Sequence, residues 1–139
     1  MSIRDNYLEI LKRKDAAAKR SGRNPEDVML MAVTKKHEPD ELREAIDAGA
    51  TDFGENKVQE LLSKYDEVHP ERWHLIGHLQ TNKVRQIIDK VTMIHSVDSL
   101  KLAREINKRA AAAGVVMDVL IEINLAGEES KTGISKGEV

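Results

Sequence analysis

The sequence predicts an α/β fold organised on a parallel sheet. Short apolar runs alternate with amphipathic stretches of helical period, the connections are short, and polar residues collect just after each apolar run. Such alternation implies right-handed parallel crossovers, which bring every strand's carboxyl end to one edge of the sheet. In an open sheet or a closed barrel alike, that edge is where parallel α/β proteins place their chemistry.

The first helix is expected from about Asp5 to Arg20, where Tyr7, Ile10, Leu11, Ala17 and Ala18 recur at helical spacing until Gly22 and Pro25 end it. Val28-Met29-Leu30-Met31-Ala32-Val33 is an unpunctuated apolar run suited to a strand buried on both faces, and it leads into Thr34 and two adjacent amines, Lys35 and Lys36. Pro39 suits a first helical turn, Leu42 and Ile46 follow four apart, and Gly49 suits a C-terminal cap. Thr51 to Glu55 reads as the second strand, followed by a helix with Val58, Leu61, Leu62 and Tyr65 on one stripe. Trp73 to Gly77 is the third strand, with Val84, Ile87 and Ile88 on the helix behind it. Val91 to His95 is the fourth, and Asp98 or Ser99 can cap an alanine-rich helix running to about Ala113, before Gly114. The fifth strand spans Val116 to Asn124. There Ile121 and Ile123 share one face and Glu122 and Asn124 the other, as expected if one face meets helices and the other a polar interior.

At 139 residues the chain has room for one modest domain with a real core, read as a single unit over 1–139. A net charge of -2 with both signs interspersed gives no footprint for nucleic acid and no membrane patch. There is no cysteine, so disulfides, thiolate metal sites and cysteine nucleophiles are excluded. The first residues lack an apolar signal core and no stretch approaches spanning length, so a cytoplasmic protein is expected.

Lys35 is the sharpest chemical candidate. On an extended strand Met31, Val33 and Lys35 share one face, so only one of the two lysines can point inward. A desolvated amine at such a position can attack an aldehyde, whereas the plain reading is a pair of solvated strand-end charges. His37, His74, His78 and His95 all fall near strand ends, yet no pair has a compact metal-ligand spacing, and a polar cavity lining is favoured. Glu55 and Glu122 could form a carboxylate pair, but nothing fixes their separation. Gly54 and Gly77 read as ordinary strand-end glycines, and Asn56 as a ligand contact or a helix cap. The segment Gly127-Glu128-Glu129-Ser130-Lys131-Thr132-Gly133 lacks a P-loop ending, carries an acidic pair, and reads as a mobile loop.

Taken together and in order, five segments resemble the pyridoxal phosphate homeostasis protein family. They are Ala32-Val33-Thr34-Lys35, Asp52-Phe53-Gly54-Glu55-Asn56-Lys57-Val58-Gln59-Glu60, Trp73-His74-Leu75-Ile76-Gly77-His78-Leu79-Gln80-Thr81-Asn82-Lys83, Ile94-His95-Ser96-Val97-Asp98-Ser99, and the run from Asn124 to Gly133. The resemblance implies a TIM-type (β/α) barrel like the N-terminal domain of alanine racemase. It also implies pyridoxal 5′-phosphate held as a Schiff base on Lys35, with Asn56, His78 and Ser96 lining the pocket. It further implies a carrier in vitamin B6 and amino-acid homeostasis without established turnover, whose partners are the cofactor and pyridoxal phosphate-dependent apoenzymes. Alternatives are a small racemase or lyase, or a cofactor-free fragment.

Barrels of this type have roughly eight strand-helix units, and on the resemblance this chain holds the first five, without the later phosphate cradle. The resemblance implies a monomer, but two open sheet edges would favour self-association. Weak cofactor binding is therefore expected unless another chain completes the sheet.

Overall fold

The computed structural model describes residues 2–128 and 132–139, so part of the 127–133 loop lies outside the described residues. Five strands, β1 (Met31–Val33), β2 (Asp52–Glu55), β3 (Arg72–Leu75), β4 (Met93–Val97) and β5 (Asp118–Ile121), form one sheet in sequential order. All four ladders are parallel, and β1 and β5 are the edges. The α/β expectation is borne out, as a partial barrel rather than a closed one.

The helices are α1 (Ile3–Arg20), α2 (Pro39–Asp47), α3 (Val58–Tyr65), α4 (Val84–Ile87) and α5 (Leu100–Ala113). Local chemistry explains their limits. Ser2 and Asp5 make a capping box for α1, Pro39 opens α2, and Ser99 accepts the Leu102 N–H at the start of α5. Gly114 closes α5 in the left-handed conformation, φ 70°, that favours glycine.

Register sorts the strand residues onto two faces. Ala32, Phe53 and Trp73 lie side by side, and with Leu75 and Ile94 they meet Leu42, Leu61, Val84, Ile87, Leu102 and Ile106 from the helices in one core. Phe53 and Trp73 pack edge to face, with centroids 5.6 Å apart. The other face carries Met31, Asp52 and Arg72 in one row and Val33, Gly54, His74, Met93 and Asp118 in the next. This face mixes Asp52, Arg72, His74 and Asp118 with apolar residues, and the alternation expected in the fifth strand fails: Glu122 and Asn124 lie beyond β5, and Ile121 and Ile123 are exposed because no helix among the described residues covers them.

Several boundaries differ from the sequence reading. Val28, Met29 and Leu30 lie outside β1, because the edge strand pairs only where β2 runs beside it, from Met31 opposite Asp52. The fourth strand begins at Met93 and runs through Val97, with an irregularity between Ile94 and Val97. The fifth strand keeps only Asp118–Ile121, and Ile123 makes an isolated parallel bridge to Ile134. Helix α4 is a single turn preceded by a 3-10 turn, Thr81–Lys83. Helices do not cover β5: Val119, Leu120, Ile121 and Ile123 are 42%, 47%, 52% and 39% exposed. Apolar grooves of about 280 Å³ beside β1, lined by Tyr7, Met31 and Leu42, and about 390 Å³ beside β5, lined by Val97, Ile106 and Val119, mark the two edges. No helix among the described residues is long and apolar enough to cross a membrane.

Candidate functional site

Parallel strands bring the loops after β1, β2, β3 and β4 to one edge, where Lys35, Asn56 and His78 lie, while Ser96 lies inside β4 and is buried. β1 ends at Val33, so the strand alternation does not extend to Lys35; Lys35 and Lys36 sit in a turn, both exposed. No salt bridge engages Lys35 among the described residues. Lys36 has φ 65°, in the left-handed region that a residue with a Cβ rarely adopts.

That turn is held from beneath by buried charge. Thr34, 4% exposed, donates its Oγ1 hydroxyl to Glu55 Oε2 at 2.5 Å. Lys64 Nζ on α3 donates to the Thr34 carbonyl, to Glu55 Oε2 and to Glu60 Oε2, each at 2.8 Å. The Lys36 N–H donates to the same Glu60 oxygen at 2.6 Å. Burial by itself would lower the Lys64 ammonium, but the hydrogen bonds and charges of Glu55 and Glu60 outweigh it and hold that group above its ordinary value. The Lys64 hydrogen bond, with the Lys36 N–H behind it, keeps the Glu60 carboxyl below its usual range.

The loops after β2 and β3 are pressed together. A Cβ on Gly77 would stand 2.3 Å from the Asn56 carbonyl oxygen and 2.8 Å from its Cα, so only glycine fits. Gly77 is thus a close-approach glycine, not an ordinary strand end. Asn56 does not cap α3, whose N-cap is Lys57. Asn56 and His78 share a cleft of about 250 Å³ with Lys57, Gln59, Gln80 and Lys83, and Lys35 and Ser96 do not line it. His78 Nδ1 reaches Asp98 Oδ2 at 3.2 Å, joining the third loop to the fourth. Ser96, fully buried at the β4 irregularity, has a hydroxyl with no hydrogen-bond partner among the described residues.

Below this edge runs a chain of polar groups that sequence reasoning missed. Arg72 grips Asp52 with two hydrogen bonds, of 2.8 and 2.9 Å; Asp52 Oδ2 is 2.7 Å from His74 Nε2, and His74 Nδ1 is 3.0 Å from His95 Nε2. Burial pushes the Asp52 carboxyl up, but the hydrogen bonds from Arg72, Thr51 and His74 prevail and lower it to about 2. Burial first, and the neighbouring His74 second, lower the His95 imidazole. His74 Nε2 donates to Asp52, and His74 Nδ1 and His95 Nε2 share one proton between them. His74 and His78 do not converge, since one is tied to Asp52 and the other to Asp98. Glu55 faces Lys64, not Glu122. Among the described residues no three potential metal ligands cluster.

An exposed amine, a buried hydroxyl and a polar cleft thus lie near one edge, and the desolvation expected of Lys35 is absent because β1 ends two residues before it. This donor set suits an aldehyde bearing polar substituents.

Comparison with known proteins gives a consistent result. A family model described as the alanine racemase N-terminal domain matches residues 9–139. The pyridoxal phosphate homeostasis protein of Aquifex aeolicus is 42% identical over 136 residues, covering 96% of this chain and 60% of the relative. The structure of PipY from Synechococcus elongatus with PLP bound superposes with a TM-score of 0.71 at 36% identity, covering 83% of this chain and 56% of that one. Alanine racemase from Streptomyces coelicolor shares the fold at 21% identity, with a TM-score of 0.66 over 97% of this chain and 34% of its own. The chain spans about three fifths of the length of the curated relatives it matches.

Proposed function

The chain belongs to the alanine racemase N-terminal domain family, and from that premise we propose that it binds pyridoxal 5′-phosphate at the carboxyl edge of its sheet and acts as a carrier in vitamin B6 homeostasis. The naming of the Aquifex relative and the PLP bound in PipY support the cofactor. The observation that carries the reading is Lys35, an exposed amine at the end of β1 with no ion-pair partner among the described residues.

The bound group supplies an aldehyde and an electron-withdrawing ring, and the protein around it selects which reactions are open to them. Lys35 is the residue that would hold the aldehyde, through its side-chain amine. Asn56 and His78 offer polar contacts from the adjoining cleft, and Ser96 offers a hydroxyl without a partner among the described residues. Asp98 lies 3.2 Å from His78 Nδ1, a carboxylate within reach of that ring. In this reading the whole chain is one cytoplasmic binding domain that passes the cofactor to apoenzymes. A racemase or lyase is the second reading. It is favoured by the Asp52–His74–His95 chain, which links a buried carboxylate through two imidazoles toward the interior face of the sheet.

Titration with pyridoxal 5′-phosphate, borohydride reduction and peptide mapping test the proposal. A saturable absorption band with the label on Lys35, lost in Lys35→Ala, is expected. Label scattered over surface lysines would overturn the binding role. Exchange of the α-proton of added amino acids in deuterium oxide would replace the carrier by the enzyme reading.

A further inference from the structure

We propose that Glu60 and Lys64 select Lys35 over its neighbour Lys36 as the reactive amine, by clamping the peptide groups on either side of Lys35. The inference rests on the cofactor reading above and concerns which of two adjacent lysines the fold presents.

Two adjacent amines at a strand end are chemically alike, so the choice between them must come from the backbone. The peptide group before Lys35 is held through its carbonyl: Thr34 C=O accepts from Lys64 Nζ at 2.8 Å. The peptide group after it is held through its N–H, which donates from Lys36 to Glu60 Oε2 at 2.6 Å. Lys64 ties the two holds together, because it also donates to that Glu60 oxygen at 2.8 Å. Its remaining partner, Glu55, is fully buried and receives the Thr34 hydroxyl as well. Between these holds lie the φ and ψ of Lys35, while the Thr34 carbonyl also accepts the His37 N–H at 3.2 Å, closing the turn in which Lys36 takes φ 65°.

The clamp therefore fixes the direction in which the Lys35 side chain leaves the chain. Without it, the peptide planes on either side of Lys35 are free to turn, and rotation about its φ and ψ swings the Lys35 amine away while the His37 bond still holds the turn around Lys36. Lys64 is no competitor for the aldehyde. Its side chain is 6% exposed and its ammonium is held protonated by two carboxylates. Both are positioning residues, since neither touches the reacting atoms. The reaction they bias is one in which the neutral amine nitrogen bonds the aldehyde carbon and the carbonyl oxygen leaves as water.

The test is site-resolved labelling of the full chain with pyridoxal 5′-phosphate and borohydride, read as the ratio of label on Lys35 to label on Lys36. Thermal melting of each variant is followed by circular dichroism. The natural chain is expected to favour Lys35 by about tenfold or more, as small displacements of a reacting group weigh heavily on rate. Glu60→Ala, which deletes the acceptor of the Lys36 N–H, should shift label toward Lys36. Glu60→Gln retains an acceptor and should restore the preference for Lys35, a rescue that loss of general stability would not produce. Lys64→Met should act like Glu60→Ala if it still melts cooperatively, and the Glu60 pair decides the matter if it does not. An unchanged ratio in folded Glu60→Ala, beside clean Lys35 labelling in the natural chain, overturns the clamp and leaves the cofactor reading standing. No label on either lysine of the natural chain overturns the cofactor reading itself, and the clamp with it.

Discussion

Asp52 and His74 are diagonal neighbours on adjacent strands, joined through Oδ2 and Nε2 at 2.7 Å. Asp52 lies directly opposite Arg72 and His74 opposite Gly54, so one buried carboxylate receives a guanidinium from straight across and an imidazole from one step further along. Both side chains are closed to solvent, and neither would be tolerated there alone.

This arrangement makes stability depend on acid. The Asp52 carboxyl titrates at about 2 in the fold against an ordinary 3.8. A depressed carboxyl contributes stability that is present above its unfolded value and lost as pH falls through its folded one. The contribution is about 2 kcal/mol, fully present above pH ~4 and gone near pH ~2. Urea unfolding across that range should show the loss in the natural chain and a flatter profile in Asp52→Asn. Parallel profiles would sink the assignment.

Gly77→Ala should destabilise the fold by about 1–3 kcal/mol, the usual cost of overpacking, because the new methyl meets Asn56 backbone that cannot move aside cheaply. Chemical denaturation measures the cost. Chemical-shift changes should centre on the 54–58 and 76–80 segments, and a variant as stable as the natural chain would show that the two loops are not in contact.

Ser96→Ala should raise the stability of the cofactor-free chain by about 1 kcal/mol, since it removes a buried hydroxyl without a partner. On the cofactor reading, the same change should weaken pyridoxal 5′-phosphate binding. Opposite signs in a melting curve and a binding isotherm would identify Ser96 as a ligand contact; a loss of stability without cofactor would show the hydroxyl already satisfied.

The exposed apolar strip of β5 should make the chain associate as concentration rises. Sedimentation velocity is expected to show the shift, and Ile121→Lys, which places charge on the open edge strand, should suppress it. A natural chain that stays monomeric throughout a wide concentration series refutes the expectation.

Much of this architecture is legible in the residues, and its limits have physical causes. Leu42, Leu61, Ile87 and Ile106 announce themselves because a helix must present one apolar stripe to a sheet, and all four lie in the core. The placement of Lys35 at the sheet's carboxyl edge follows from strand order alone. Lys64 is hidden because a lysine four residues after Glu60 resembles a solvated i,i+4 pair, and only the tertiary position of Glu55 and Thr34 shows it buried. The Asp52–His74–His95 chain is hidden for a related reason: its members are 21 or more residues apart, and only register makes them neighbours. Gly77 carries no signal of its close approach, since the obstacle is backbone from another loop.

The sequential order of the sheet bears on how the molecule is made. Each ladder joins a strand to the next one in the chain, as Met31 pairs with Asp52 and Phe53 with Trp73. No early strand has to wait for a distant partner, so the loop-closure entropy for each pairing is that of a single helical connection. A chain emerging amino-terminus first can dock each unit on the one already formed, in the manner of a repeat protein. Growth of the sheet and synthesis of the chain therefore run in the same direction.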